Sequence, residues 1–223
     1  MISPIDLLLP PGCALCRSTA APVCTDCLAG LPLLEDPICA RCGAATAVAT
    51  SDCRSCRGRR LGFACARSAL HYEGSGRDLV HAFKDGGLRG LAVPAAALIA
   101  LACPRPMAAD LVTWVPADPW RLIRRGFHPP ELLARELARR WGIPAAAAAR
   151  SVSHRPPQRG SDRDARRRNV RGAFAVREAP AASTVVLVDD VHTTGATLSE
   201  CARVLRRAGI GDVFAVSLAR AGR

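Results

Sequence analysis

The sequence predicts an α/β fold, with a mostly parallel sheet and helices on both faces, preceded by a small metal-stapled segment. Three observations predict it. Apolar β-branched runs such as Thr184 to Val188 alternate with helix-period stretches after residue 65. Eight cysteines fall into four Cys-x-x-Cys pairs before residue 57. The cysteine-bearing part is broken by Pro and Gly and has no long periodic segment. The expected division is a double zinc-ribbon unit over residues 1–65 and an α/β unit over residues 66–223.

The elements follow in order. Arg77 to Lys84 places Leu79, Val80 and Phe83 on one helical face. Leu91 to Ala102 is Ala-rich and reads as a buried helix, with Pro94 tolerated near its first turn. Leu111 to Val115 reads as a buried strand ended by Pro116. Glu131 to Trp141 reads as a helix, with Pro130 at its start, a Glu131–Arg135 pair and Gly142 as its stop. Residues 150–172 are polar and Arg-rich, which predicts a loop. Thr184 to Val188 is a strand, Ala196 to Ala208 a helix with Leu198, Ala202 and Leu205 inward, and Val213 to Leu218 a closing strand.

The pairs Cys13/Cys16, Cys24/Cys27, Cys39/Cys42 and Cys53/Cys56 carry the first chemical signal. A two-residue spacer lets both thiolates of a knuckle face one ion, and a second knuckle completes a tetrahedral shell. Eight cysteines therefore make two structural Zn²⁺ sites. Sequential pairing is simplest, and a crossed pairing stays open. A redox pair would stand alone in a βαβ setting rather than four times in tandem. Cys65, Cys103 and Cys201 read as small buried apolar residues. Met1 to Gly12 lacks a basic start and a full apolar stretch, so it does not read as a signal peptide. The longest apolar run, Leu91 to Cys103, contains Pro94 and is too short to span a bilayer. A cytoplasmic location without membrane insertion is expected, where such cysteines bind metal rather than form disulfides.

The second signal is Val185 to Leu198, VVLVDDVHTTGATL. A strand, two acids and a Thr/Gly loop lead into a helix. A loop at a strand's carboxyl end presents backbone N–H groups to a phosphate, and the helix start adds its positive end. Thr193, Thr194 and Thr197 add hydroxyl donors, and Gly195 allows close backbone approach. Asp189 and Asp190 would repel a phosphate; they suit sugar hydroxyls or a Mg²⁺ bound to them. A sugar phosphate is the implied ligand. His192 lies inside this loop, either to bond a phosphate oxygen or as a loop residue without a ligand. Trp114, Trp120 and Trp141 read as core or loop anchors.

This stretch resembles the ribose-phosphate signature of type I phosphoribosyltransferases, which bind phosphoribosyl pyrophosphate (PRPP). Together with the cysteine knuckles, HYEGSGRDLVHAFKDGG, VPADPWRLIRRGF and RPPQRGSDRDARRRNVRGAF, the whole chain resembles the ComF family of competence proteins. That resemblance implies a zinc-binding segment joined to a phosphoribosyltransferase domain with a role in DNA uptake. It implies Asp189 and Asp190 as catalytic and ribose-holding acids, and Thr193, Thr194, Gly195, Ala196 and Thr197 as the 5′-phosphate cradle. It makes Pro116 to Arg121 the pyrophosphate loop, with Arg121 a ligand, and 150–171 a closing loop with Gln158, Arg163, Arg167 and Asn169 as contacts. Lys84, the single Lys among 31 basic residues, falls where the family has a phosphate-contacting Lys. Departures are Asp118 for a frequent His, His128-Pro129 for Asn-Gln, Ser161 for Leu and Asp85 for Tyr. The ribose half is thus intact and the pyrophosphate and acceptor half altered.

The chain is basic, at formal net charge +12, with half of its Arg residues between Arg121 and Arg177. That distribution points to a polyphosphate ligand first. Arg54, Arg57, Arg59 and Arg60 on the last knuckle also suit a nucleic-acid backbone. Three readings follow. One is Mg²⁺-dependent phosphoribosyl transfer from PRPP to an acceptor the sequence does not name. Another is a non-catalytic module for single-stranded DNA that works with other competence proteins and keeps PRPP as a regulatory or vestigial ligand. The third is a zinc-ribbon adaptor.

Overall fold

The computed structural model describes residues 12–18, 21–103, 105–106, 108–152, 170–177 and 181–222. Its centre is a four-stranded sheet in the order β1-β6-β5-β2, built from β1 (Cys65–His71), β2 (Leu111–Trp114), β5 (Thr184–His192) and β6 (Asp212–Arg220). All three pairings are parallel. The α/β class expected from the alternating pattern is therefore the class found. β3 (Ala149–Ser151) and β4 (Phe174–Val176) form a separate antiparallel pair that flanks the long polar segment.

Each outer strand has its free edge covered. Leu34 N–H donates to Ala69 O and His71 N–H to Pro32 O, so the chain after the first knuckle lines β1. Val112 N–H donates to Pro144 O and Ala146 N–H to Val112 O on the other side. Covering both edges removes the unpaired strand surface that otherwise invites intermolecular pairing.

Helices pack on both faces. α1 (Thr25–Ala29) belongs to the first knuckle. α2 (Gly74–Lys84), α3 (Ala92–Ala102) and α5 (Pro129–Trp141) cover one face, and Leu79, Phe83, Ile99, Leu133 and Leu137 meet Val112, Val186, Val188 and Leu218 there. Cys13, Val23 and Leu31 join the same buried cluster, so the core runs without a break from the α/β part into the first knuckle. α6 (Ala196–Arg207) covers the other face through Leu198, Cys201, Ala202 and Leu205, at helical spacing, against Val185 and Leu187. Each such Val or Leu contributes about 1.5–3 kcal/mol by burial.

Two elements differ from expectation. β1, Cys-Ala-Arg-Ser-Ala-Leu-His, carries no β-branched residue; its place follows from pairing with β6, which sequence does not show. A short helix, α4 (Pro119–Arg125), forms where only a turn was expected, because Asp118 caps it and Pro119 starts it. Trp120 on α4 is exposed rather than an anchor, whereas Trp114 is buried under the Arg135 guanidinium. Cys103 and Cys201 are buried as expected, and Cys65 is half-buried. Among the described residues no helix is long and apolar enough to cross a membrane.

Candidate functional site

The site is set by topology. β5 leads into α6 on one face, while its neighbour β2 leads toward α5 on the other. Connections that leave adjacent parallel strands for opposite faces open a crevice at the carboxyl ends. Trp114 lies level with Val188, so the turn from Pro116 to Arg121 begins beside Asp189 and Asp190.

β5 runs further than its β-branched core, to His192, and holds both acids in extended backbone. Successive side chains alternate across a strand, so Asp189 and Asp190 diverge. Asp190 is buried and takes an ion pair from Lys84, with Nζ 2.6 Å from Oδ2. The sole Lys of the chain thus reaches the acid pair. Asp189 is half-buried, and its carboxyl is pushed up to about 8, first by burial and then by the negative charge of Asp190, with Lys84 opposing. Asp190 N–H donates to Asp189 Oδ1 at 2.9 Å.

Beyond the strand, Thr193 is exposed, Thr194 half-buried and Gly195 buried in the left-handed region at φ 70°, directly before α6. Thr194 Oγ1 accepts from Ala196 N–H at 3.3 Å, and Ala196 and Thr197 form the open first turn of α6. The expected cradle, Thr193 to Thr197, is therefore one contiguous loop and helix start beside the two acids. His192 differs from the phosphate-contact expectation. It is 2% exposed, lies beneath the loop, and meets Phe63 edge-on and Arg220. Burial first, and then the charges of Arg220 and Arg59, hold its ring well below the usual titration range, so it is neutral.

Across the crevice, Asp118 accepts from the N–H groups of Trp120 and Arg121 at 3.0 and 3.3 Å. An Asp in the expected pyrophosphate turn therefore serves as the cap of α4, and Arg121 stands exposed on that helix. His128, at the start of α5, feels Asp190 and Lys84 across the crevice; burial is the main cause that lowers its titration to about 4. Arg125 pairs with Asp85 at 3.1 Å, next to Lys84. In the sequence His128 and Asp85 stand out only as departures from a pattern, Arg125 and Arg220 carry no signal, and Arg59 reads as part of a nucleic-acid surface, whereas the fold turns it to the Thr194 carbonyl. Gln158, Arg163, Arg167 and Asn169 lie outside the described residues.

The cysteines gather into two clusters in sequential pairing, Cys13/Cys16/Cys24/Cys27 and Cys39/Cys42/Cys53/Cys56, each with its sulfur atoms within 4.8 Å of one another. Sγ separations are 3.7 Å for Cys16–Cys24, 3.7 Å for Cys39–Cys56, 3.6 Å for Cys42–Cys53 and 4.0 Å for Cys53–Cys56. Zn–S bonds of about 2.3 Å give tetrahedral S···S edges of about 3.8 Å, and a disulfide needs about 2.05 Å. The donor set fits Zn²⁺. The thiols show the same preparation. Burial opposes ionisation of Cys39, but N–H donors from Cys42, Cys53 and Arg41 outweigh it and bring the thiol down to about 6. Cys27 is pushed up to about 12, chiefly by its neighbours Cys24 and Cys16, because thiolates crowded together need a cation. The first cluster is partly open to solvent, while all four cysteines of the second are buried.

Residues 4–57 match the double zinc ribbon domain family. Competence protein F of Haemophilus influenzae is 38% identical over 112 residues, covering 48% of this chain and 48% of that protein. DNA utilization protein YhgH of Escherichia coli O6:H1 is 34% identical over 115 residues, covering 50% of this chain and 49% of that protein. The matches thus span about half the length of the curated relatives. Among solved structures, a glutamine PRPP amidotransferase from B. subtilis aligns with 58% of this chain and 26% of its own, at 22% identity and TM-score 0.41.

Proposed function

We propose that this chain is a ComF-type protein, a reading its double zinc ribbon match and its likeness to competence protein F and YhgH support, that it binds PRPP in the crevice beyond β5 and β2, and that it serves the handling of DNA in competence. The observation that carries the reading is the adjacency of two acids, a Lys and a Thr/Gly loop at one strand end, with Lys84 Nζ 2.6 Å from Asp190. The backbone N–H groups of the loop and helix start at 193–197 and the Thr hydroxyls suit the 5′-phosphate. Asp189 and Asp190 suit the two ribose hydroxyls, each carboxylate accepting a hydrogen bond from a sugar O–H. Lys84 and neutral His128 lie near Asp190, and with the exposed Arg121 on α4 they suit the pyrophosphate end. Gln158, Arg163, Arg167 and Asn169 remain part of this proposal.

The acid pair also fits Mg²⁺. Both donors are carboxylate oxygens, and Asp189 is pushed up first by burial and then by the charge of Asp190, both of which a bound cation would offset. Bound there, the ion would screen the pyrophosphate and the ribose oxygens from the acids. Transfer of the phosphoribosyl group to an acceptor, with pyrophosphate leaving, is the activity this ligand would serve.

Calorimetric titration with PRPP and Mg²⁺ tests the reading. Wild type should bind, and Asp190→Asn should bind at least about tenfold more weakly, in line with loss of a hydrogen bond to a charged group worth about 1.5–3 kcal/mol. No binding by wild type would remove the proposal. Pyrophosphate release with candidate acceptors then separates turnover from binding. A second reading rests on Arg54, Arg57 and Arg60, exposed together on the second ribbon. They suit a single-stranded DNA backbone. Binding that weakens steeply with salt and is lost in Arg57→Ala/Arg60→Ala would support it.

A further inference from the structure

The second four-cysteine cluster is not a remote staple. Its sulfurs are buried, and Zn²⁺ with four thiolates carries a net charge of about −2, which must be compensated inside the fold. One compensating cation is Arg220, at the end of the last strand and 7% exposed. Its Nη2 donates to Cys42 Sγ at 3.6 Å. Its Nη1 lies 2.8 and 3.0 Å from the two ring nitrogens of His192. One planar guanidinium therefore touches a metal ligand with one arm and the residue beneath the phosphate loop with the other.

From His192 the contact continues to the loop itself. A Cβ on Gly195 would lie 2.6 Å from His192 Nε2, so the ring is the surface on which the turn rests. A second link runs in parallel. Arg59 Nη1 donates to Ser55 O, between ligands Cys53 and Cys56, at 3.0 Å, and Arg59 Nη2 donates to Thr194 O at 2.9 Å. Arg41 holds the same strip, with Nη2 donating to Arg59 O at 2.6 Å. Gly62 N–H bonds Ser199 Oγ in α6 at 2.9 Å.

We propose that Arg220 and Arg59 are positioning residues through which the second four-cysteine site sets the phosphate loop 193–197, so that loading of that site and binding of a ribose phosphate favour one another. The inference rests on the PRPP reading for its ligand, but not for the coupling itself. Groups that orient a metal's ligands typically change affinity or activity 10- to 100-fold when removed. Coupling between two binding events is reciprocal, so PRPP should strengthen retention of the second Zn²⁺ by the same factor by which that Zn²⁺ strengthens PRPP binding.

The test uses the full chain with both sites loaded. Zn²⁺ content is measured by elemental analysis, amide hydrogen exchange is followed across 193–197, and PRPP is titrated with Mg²⁺. Arg220→Gln should keep two Zn²⁺, exchange faster in the loop and bind PRPP about 10- to 100-fold more weakly. Arg220→Lys, which keeps the charge but loses the fork, should recover part of both losses. Chelator challenge should release one of the two Zn²⁺ more slowly when PRPP is present in wild type, and PRPP should slow that release less in Arg220→Gln, where only the Arg59 link remains. Wild-type exchange and wild-type affinity in a two-zinc Arg220→Gln would overturn the proposal. If that variant fails to fold, Arg59→Ala takes its place: faster loop exchange at two Zn²⁺ supports the coupling, and unchanged exchange overturns it. If wild type binds no PRPP, the functional reading fails alone, because the exchange contrast needs no ligand.

Discussion

Substituting Gly195 by Ala tests whether the phosphate loop rests on the His192 ring. The substitution carries two costs. At φ 70° an Ala enters the left-handed region, worth about 1–2 kcal/mol. Its Cβ would also stand 2.6 Å from His192 Nε2, inside contact distance. That ring cannot swing aside cheaply, since Phe63 stands edge-on to it and Arg220 lies within 3.0 Å. Overpacking of this kind adds about 1–3 kcal/mol. Gly142 supplies the control. It has φ 64° at the end of α5, and a Cβ there meets nothing within 4 Å. Gly142→Ala should therefore lose only the backbone part, roughly 2–8 °C in Tm at about 2–4 °C per kcal/mol for a chain of this size. Gly195→Ala should lose a further roughly 2–12 °C by the same conversion. Scanning calorimetry on zinc-saturated protein measures both. Equal losses in the two variants would refute the packing of loop on ring.

Further predictions concern charge, caps and metal. In the proposed site PRPP would need Asp189 as a carboxylate, and the carboxyl is pushed up to about 8 by burial and by Asp190. Affinity should therefore rise from pH 6 to 9, by up to about tenfold per unit below pH 8, and Asp189→Asn should flatten the profile. Stability should move the other way. The folded value is raised above the unfolded one of about 3.9, so the contribution of Asp189 is full below pH 4 and lost as pH rises through 8; urea titrations in wild type and Asp189→Asn check the sign. Asp118→Ala removes the cap of α4 and should cost about 0.5–2 kcal/mol, read as faster exchange confined to 119–125. Elemental analysis should give about two Zn²⁺ per chain. Stripping them should loosen α2 and α3 as well as the knuckles, because Cys13, Val23 and Leu31 share their core.

Legibility followed how local each signal is. The Thr184–Val188 run, the acids after it and the Thr/Gly loop are contiguous, so composition and order alone placed them correctly on a strand, a strand end and a helix start. The cysteine knuckles were legible for the same reason, and sequential pairing followed from folding each neighbouring pair together. Lys84 carried a weaker signal, its rarity, and the structure places it on Asp190. What was illegible depends on register and contact. β1 is a strand because β6 is beside it, not because Ala, Ser and Arg favour extended backbone. Asp118 looked repulsive as a ligand, and only the helix that follows it explains the carboxylate. His192 sits in a loop-like sequence, yet parallel pairing of β5 with β6 brings it level with Arg220, 28 positions away in the chain.

The same distinction divides the arginines. Their number in the sequence does not tell a buried structural cation from a surface one, because both are written with the same letter. In the fold, Arg220 is committed to Cys42 and His192, and Arg59 to the carbonyls of Ser55 and Thr194. A phosphate could reach neither without breaking these bonds. Arg54, Arg57 and Arg60 are exposed, and of these Arg57 pairs with Asp52 at 3.8 Å across a solvated surface, an interaction worth at most about 1 kcal/mol. Such a pair yields readily to a polyanion. Net charge therefore overstates the second ribbon as a nucleic-acid surface by the arginine that faces inward, and the inward one holds the Thr194 carbonyl in the loop before α6 instead. Mutating Arg59 should accordingly change the PRPP loop, and mutating Arg57 with Arg60 should change only the salt-dependent binding of DNA.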